Sequence, residues 1–369
     1  MPHRPAPLRR AVLAVLVCLV GLSAGAAFAQ TPSGYTVTTL RSTYGDNTGF
    51  FDPQRFTIDH THRVLGARSQ FSLSHYLAGS LIGLGLANAY VGRPATWAAT
   101  TATSVAPTTL PQTTDDMVLA AASDDGQWQV VRSTASTPVY RVLHNGALTR
   151  VSAPANTQLG LTGINNQGVA TGSLLNLADG TRTPVVWRAG QLTRLPTGGF
   201  DSGLGVALNN SGQVVGQVFN KEGQAAELAV WTDTTLATPL AGVTAWSAGR
   251  LINDRGSIVT LHGPTVGQGP SLWGLLRQGQ LTPLADAADV TDLNHLDTAL
   301  GRNDSGRAKL WLNGQAQDLT DWLLAKGTAL PAGAKVTQGL AINDAGSMVL
   351  LYSVNGNAQQ PMVRVTAKP

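Results

Sequence analysis

Cysteine is almost missing from this chain. One residue of 369, Cys18, carries a thiol, and it sits inside a short apolar stretch near the N-terminus. A lipid-attachment site wants a small residue just before its cysteine, and Val17 stands there instead, so lipidation is not expected. Beyond residue 30 the chain has no cysteine at all, which excludes a disulfide framework and leaves the fold to its core. Charge is also scarce: Asp, Glu, Lys and Arg make up 12% of the residues, about half the usual quarter. No run of Lys or Arg follows residue 30. The electrostatic footprint for nucleic acid or anionic lipid is therefore absent. No second long apolar segment follows the first, so no membrane span is expected in the mature chain.

The N-terminus is patterned for export. Arg4, Arg9 and Arg10 precede the apolar run Ala11 to Leu22, and Ala27-Phe28-Ala29 reads as a cleavage site before Gln30. Residues 1–29 are expected to be a signal peptide, and the protein to be secreted, periplasmic or extracellular. The three arginines also account for most of the basic balance. Without them 22 basic residues face 21 acidic ones.

Gly and β-branched residues take the place of charge, and they recur with a period. Ile164-Asn165-Asn166-Gln167-Gly168, Leu208-Asn209-Asn210-Ser211-Gly212, Ile252-Asn253-Asp254-Arg255-Gly256 and Ile342-Asn343-Asp344-Ala345-Gly346 share one pattern. Weaker copies begin at Asp59, Ser123 and Asn294, with His62 in the glycine position of the first. From 123 to 343, five steps cover 220 residues, a mean of 44. Asn or Asp at the leading position bonds its side chain to the backbone two residues on. Glycine at the fourth accepts positive φ, so the chain reverses into the next strand. Calcium loops need acidic ligands at alternate positions, and these are missing.

An aromatic follows six of the seven turns, two strands on: Trp97, Tyr140, Trp187, Trp231, Trp273 and Trp311. Packing between neighbouring sheets is the expected role, with a row of sugar-stacking platforms as the alternative. Four short strands per repeat match a β-propeller blade. The last unit stops one strand short, while Tyr35 to Leu40 supplies an orphan strand. Pairing it beside Pro361 to Thr366 closes the ring and removes both sheet edges. The fold expected is all-β, one repeat domain over residues 30–369: a propeller of seven four-stranded blades, with six as the alternative if the weak first copy is not a blade.

From position 160 onward especially, the repeat resembles the bacterial extracellular HAF-repeat proteins. Val206 to Gly216, Val230-Trp231 and Gly190 to Leu195 match that repeat, and Asp318-Leu319 with Gly327 to Gly346 matches its closing segment. The H-A-F triplet itself is absent; Glu227-Leu228-Ala229 stands in its place. The resemblance spans about residues 35–367. It implies a secreted repeat protein of no assigned activity and carries no catalytic residue.

No nucleophile elbow, zinc-binding histidine helix or phosphate loop occurs. His60 and His62 read as surface turn residues, without a third ligand for a metal. Asp286, Asp289, Asp292, His295 and Asp297 form one acidic cluster, read as mostly solvated. Two places remain for a site. The central channel is expected to be lined by small or apolar residues such as Gly163, Ala207 and Ala341, with Arg250 and Asp292 as charged exceptions that must reach water, a partner or a ligand. The second place is an apolar insertion at about 69–92 containing Phe71, Tyr76 and Tyr90, which either covers one end of the propeller or docks a partner. Asp321 to Leu324 is a smaller extra of the same type. The sequence thus points to an exported, monomeric, non-enzymatic scaffold binding a protein or glycan, without cofactor or metal. A hydrolase or lyase acting at the channel mouth is the alternative.

Overall fold

The computed structural model of the chain describes residues 34–41, 56–71, 90–114, 117–220, 226–237, 246–263, 272–356 and 361–368; residues 67–71, 90–92, 236–237 and 246 are described by backbone alone. They form a seven-bladed β-propeller of four-stranded antiparallel blades. Blade 1 runs Thr57–Ile58, Val64–Phe71, Tyr90–Trp97, Thr108–Thr109, and blade 2 Met117–Ala122, Trp128–Ser133, Tyr140–His144, Ala147–Arg150. Blade 3 is Thr157–Ile164, Ala170–Asn176, Arg182–Arg188, Gln191–Arg194, and blade 4 Ser202–Leu208, Val214–Phe219, Ala226–Thr232, Thr235–Ala237. Blade 5 follows with Trp246–Ile252, Ile258–Gly263, Leu272–Arg277, Gln280–Pro283, and blade 6 with Asp289–Leu293, Ala299–Arg302, Ala308–Leu312, Gln315–Asp318. Blade 7 takes Ala334–Ile342, Met348–Val354 and Met362–Ala367 from the C-terminus and Tyr35–Leu40 from the N-terminus. The two ends pair in antiparallel register, Tyr35 against Ala367 and Thr39 against Val363. The ring is closed as expected, and the weak first copy is a blade.

The periodic turn joins the first strand of each blade to the second. In blade 3 the Asn165 Oδ1 accepts the backbone N–H of Gln167 and of Val169, both at 3.0 Å, and the Gly168 N–H bonds the Asn165 carbonyl. Gly168 has φ +71°, and Asp297 and His62 hold the same left-handed conformation in their blades at +63° and +64°. Their side chains contact the preceding blade: Asn253 donates to Asp297 Oδ1 at 2.8 Å, and Asn343 Nδ2 lies 3.3 Å from His62 Nδ1. A β-bulge lies in the inner strand at Ala120, Thr162, Val206, Arg250, Thr291 and Leu340, each three residues before its turn's leading residue. A bulge adds twist and re-aims side chains. Here it does so at one level around the channel.

The aromatics pack between blades. Trp97, Trp231 and Trp311 are at most 1% exposed, with Tyr140, Trp187 and Trp273 also buried. Their indole N–H groups bond linker carbonyls: Trp97 to Arg41, Trp231 to Pro196, Trp273 to Ala288 and Trp311 to Ala285. Burial on this scale leaves no face for a sugar ring, which excludes the stacking-platform alternative.

The Asp321 to Leu324 segment belongs to a helix, Leu319–Ala325 (α1), capped by the Asp318 carboxylate. Leu319 and Leu323 enter the core beside blade 7, and Trp322 packs on Tyr35 with ring centroids 5.5 Å apart. Among the described residues no helix is long and apolar enough to cross a membrane.

Candidate functional site

In blade order the second residues of the seven turns are His60, Asp124, Asn166, Asn210, Asp254, His295 and Asp344. Five of them, His60, Asp124, Asn166, His295 and Asp344, line one cavity. Several are bonded to the next blade through one recurring contact, a backbone N–H donating to that blade's second-position side chain. Asn166 donates to Asn210 (2.8 Å), Asn210 to Asp254 (2.7 Å) and His295 to Asp344 (2.7 Å). Outside this ring runs a second one, built from the leading Asn side chains. Each Nδ2 donates to the leading residue's carbonyl in the next blade: Asn165 to Asn209, Asn209 to Asn253, Asn253 to Asn294, Asn294 to Asn343 and Asn343 to Asp59.

Three carboxylates from three blades converge on His295. Its Nδ1 lies 3.0 Å from Asp344, and its Nε2 3.4 Å from Asp254 and 3.5 Å from Asp124. Hydrogen bonds to Asp124 and to Asp344, and the charges of Asp344 and Asp254, raise its pKa to about 10 against the opposing effect of burial. His295 is thus a histidinium at neutral pH. In return Asp344 is held below the usual carboxylate range, because its contacts with His295 outweigh burial.

Beneath His295, Asp292 borders the channel. Surrounding protein pushes its pKa up to about 7, although its two oxygens accept the N–H groups of Leu293 (2.9 Å) and Ile342 (2.8 Å) and His295 acts the other way. Two connected cavities of about 210 Å³ each share Thr57, Asp124, Asp292, Leu293 and His295. The second is lined by Gly163, Ala207, Leu251 and other inner-strand residues.

Arg250 and Asp292 share no hydrogen bond or ion pair among the described residues. Arg250 is exposed at the blade 5 bulge and lines neither cavity, while Asp292 bridges blades 6 and 7. The acidic cluster is less solvated than its composition suggests. Asp297 is 3% exposed and faces Arg277 (3.4 Å) and Arg255 (3.9 Å), whereas Asp286 pairs with Asn303 and Lys309. His60 is an exposed turn residue, but His62 packs into the blade 7–blade 1 junction, where burial lowers its pKa.

Phe71 and Tyr90 face each other in the register of blade 1's long hairpin, on the propeller face opposite the turns. Tyr76 and the rest of 72–89 lie outside the described residues, as do the side chains of Phe71 and Tyr90. Among the described residues no group of three or more His, Cys, Asp or Glu side chains is placed to hold a metal ion.

No family model matches the sequence, and no curated protein matches it. Solved propellers do. A puromycin-hydrolysing peptidase from Mycobacterium tuberculosis aligns at 10% identity over 91% of this chain and 53% of its own, with TM-score 0.50. The β-propeller domain of the Trilobed protease from Pyrococcus furiosus aligns at 9% over 84% and 93%, TM-score 0.49. YCF48 bound to D1 peptide aligns at 13% over 91% and 95%, TM-score 0.46. At these identities the likeness is one of fold.

Proposed function

We propose that this chain is an exported, monomeric propeller scaffold of the HAF-repeat type that binds a protein partner through its turn-bearing face. The observation that carries the reading is where the charged groups near the channel are spent. His295, Asp124, Asp254 and Asp344 hold four blades to one another, and both Asp292 oxygens accept backbone N–H groups. Groups so committed build a rigid frame, on which binding residues sit in connecting segments. Burial of the aromatics favours a protein over a glycan partner. The charge pattern of residues 4–29 supports export.

A hydrolase or lyase at the channel mouth is the second reading, and one observation favours it: a carboxyl raised to about 7 beside a cavity has the protonation a general acid needs. One experiment separates the two. The purified protein is screened against glycoside and ester substrates together with Arg250→Ala and Asp292→Ala, and immobilised for a pull-down from the envelope fraction. A partner retained without substrate turnover is the expected result. Turnover by the wild type that is lost in Asp292→Ala overturns the scaffold reading.

A further inference from the structure

Three turns of this chain carry the dipeptide Asn-Gly: Asn145-Gly146, Asn313-Gly314 and Asn355-Gly356. In each the asparagine takes positive φ, at +49°, +51° and +50°, and the glycine follows at +76°, +78° and +74°. The first two are two-residue hairpin loops, with His144 pairing Ala147 and Leu312 pairing Gln315, and Asn-Gly suits the left-handed backbone such loops need. The same dipeptide has a chemistry of its own. No side chain crowds the glycine nitrogen, which leaves it free to add to the asparagine Cγ.

Packing separates the three. Adding that nitrogen to Cγ requires the turn to open, and a hairpin opens where its strand is exposed and its tip is bare. Asn355 is held, because its N–H bonds the Gly333 carbonyl at 3.3 Å and its Oδ1 lies against Gly333. At the blade 6 tip Gly314 is buried beneath Thr282 of blade 5, and a Cβ there would stand 2.6 Å from Thr282 Cγ2. The strand Gln315–Asp318 then runs straight into α1, whose Leu319 is buried. The blade 2 tip has neither restraint. Asn145 is exposed, a Cβ on Gly146 would meet nothing within 4 Å, and the outermost strand Ala147–Arg150 is exposed or half-buried throughout.

Only the blade 2 tip also carries a histidine beside its asparagine. The His144 ring is fixed by stacking on Trp128, 3.5 Å away and 5° from parallel. Its Nδ1 faces the Gln127 carbonyl at 3.3 Å. A carbonyl only accepts, so Nδ1 carries the proton and Nε2 is the basic nitrogen. That Nε2 lies 2.9 Å from Asn145 Nδ2, the nitrogen that must leave.

We propose that Asn145-Gly146 is a self-modification site, where the chain converts Asn145 to aspartate and isoaspartate through a cyclic imide with His144 as proton carrier. The Gly146 nitrogen gives up its proton and bonds to Cγ, and the Cγ–Nδ2 bond breaks. The proton reaches Nδ2 by way of His144 Nε2, and that nitrogen departs as ammonia. Water then opens the ring. Breaking the new bond to Cγ gives aspartate, while breaking the original peptide bond leaves the chain running through Cγ as isoaspartate. Either product sets a carboxylate beside His144, whose partner Trp128 covers Gly168 of blade 3.

The test ages the full mature chain at neutral pH, natively folded and in guanidinium chloride, and maps tryptic peptides by mass spectrometry with aspartate and isoaspartate resolved. Peptides 142–150 and 310–326 each hold a single asparagine, Asn145 and Asn313, and fragment ions locate Asn355 within 336–364. In the folded chain Asn145 is expected to convert at least about fivefold faster than the other two, with isoaspartate among its products. In denaturant the three should convert at comparable rates. His144→Phe keeps a ring on Trp128 but no ring nitrogen, and should slow the folded reaction at least about threefold. An intact Asn145, no lead over Asn313 in the folded chain, the same lead in denaturant, or aspartate without isoaspartate each overturns the site. An unchanged rate in folded His144→Phe overturns the part given to the imidazole. The wild-type comparisons decide the site even if that variant fails to fold.

Discussion

His295 shows how one side chain draws its role from residues far away in the chain. Its carboxylate partners belong to blades 2, 5 and 7, and each is an ordinary turn residue in its own blade. Because the folded pKa, about 10, exceeds the unfolded value of 6.5, the folded state binds this proton more tightly. The stabilisation is fully present below about pH 6.5 and disappears as pH rises through 10. The difference in Tm between wild type and His295→Ala should therefore be largest at pH 6 and shrink steadily toward pH 10.5. A difference that is flat over this range refutes the histidinium. The residue was legible as the second position of the periodic turn, and so were Asp124, Asp254 and Asp344; that these three of the seven meet it was not, because the meeting depends on how the ring closes.

Turns are the element from which this molecule is assembled, and their leading Asn does two jobs. Oδ1 closes the turn on its own backbone, which an Asp does equally well. Nδ2 donates to the next blade, which an Asp cannot do. Blade 1 shows the accommodation, since Asp59 pairs its second oxygen with Arg63 at 2.9 Å and Arg63 in turn donates to the Gly126 carbonyl of blade 2. Asn209→Asp should cost about 1–3 kcal/mol in urea unfolding, because it leaves the buried Asn253 carbonyl facing a carboxylate. Gln213 occupies the place of Arg63, so Asn209→Asp with Gln213→Arg copies blade 1 and should recover most of the loss. No recovery in the double variant refutes the shared logic of the turns. The turn itself was plain from residue type and spacing. Its second bond was not, because the acceptor lies about 44 residues along the chain.

Closure is a property of the whole molecule. The strand Tyr35–Leu40 pairs with Met362–Ala367 through five register pairs, and the buried Arg364 reaches across to the carbonyls of His62, Ala98 and Thr100 in blade 1. Shortening the chain to begin at residue 31 should leave Tm unchanged. Beginning at residue 42 opens blade 7, exposes its edge and should lower Tm by roughly 10 °C or more, with aggregation. Equal melting of the two shortened chains refutes the closure.

Fold class, repeat length, turn chemistry, inter-blade aromatics and the strand shared between the two ends were determined by the sequence alone. Each is a short-range or periodic feature, repeated often enough for its physical cause to be read from residue type and spacing. The tertiary structure alone decided which residues meet. Closing seven units into a ring brings five of the second turn residues to one cavity, spends His295 and Asp292 on inter-blade bonds, leaves Arg250 exposed outside that cavity, and seats Trp128 over Gly168 of the next blade. Those outcomes depend on which blade follows which around the ring and on how far each side chain reaches into its neighbour, and spacing along a strand encodes neither.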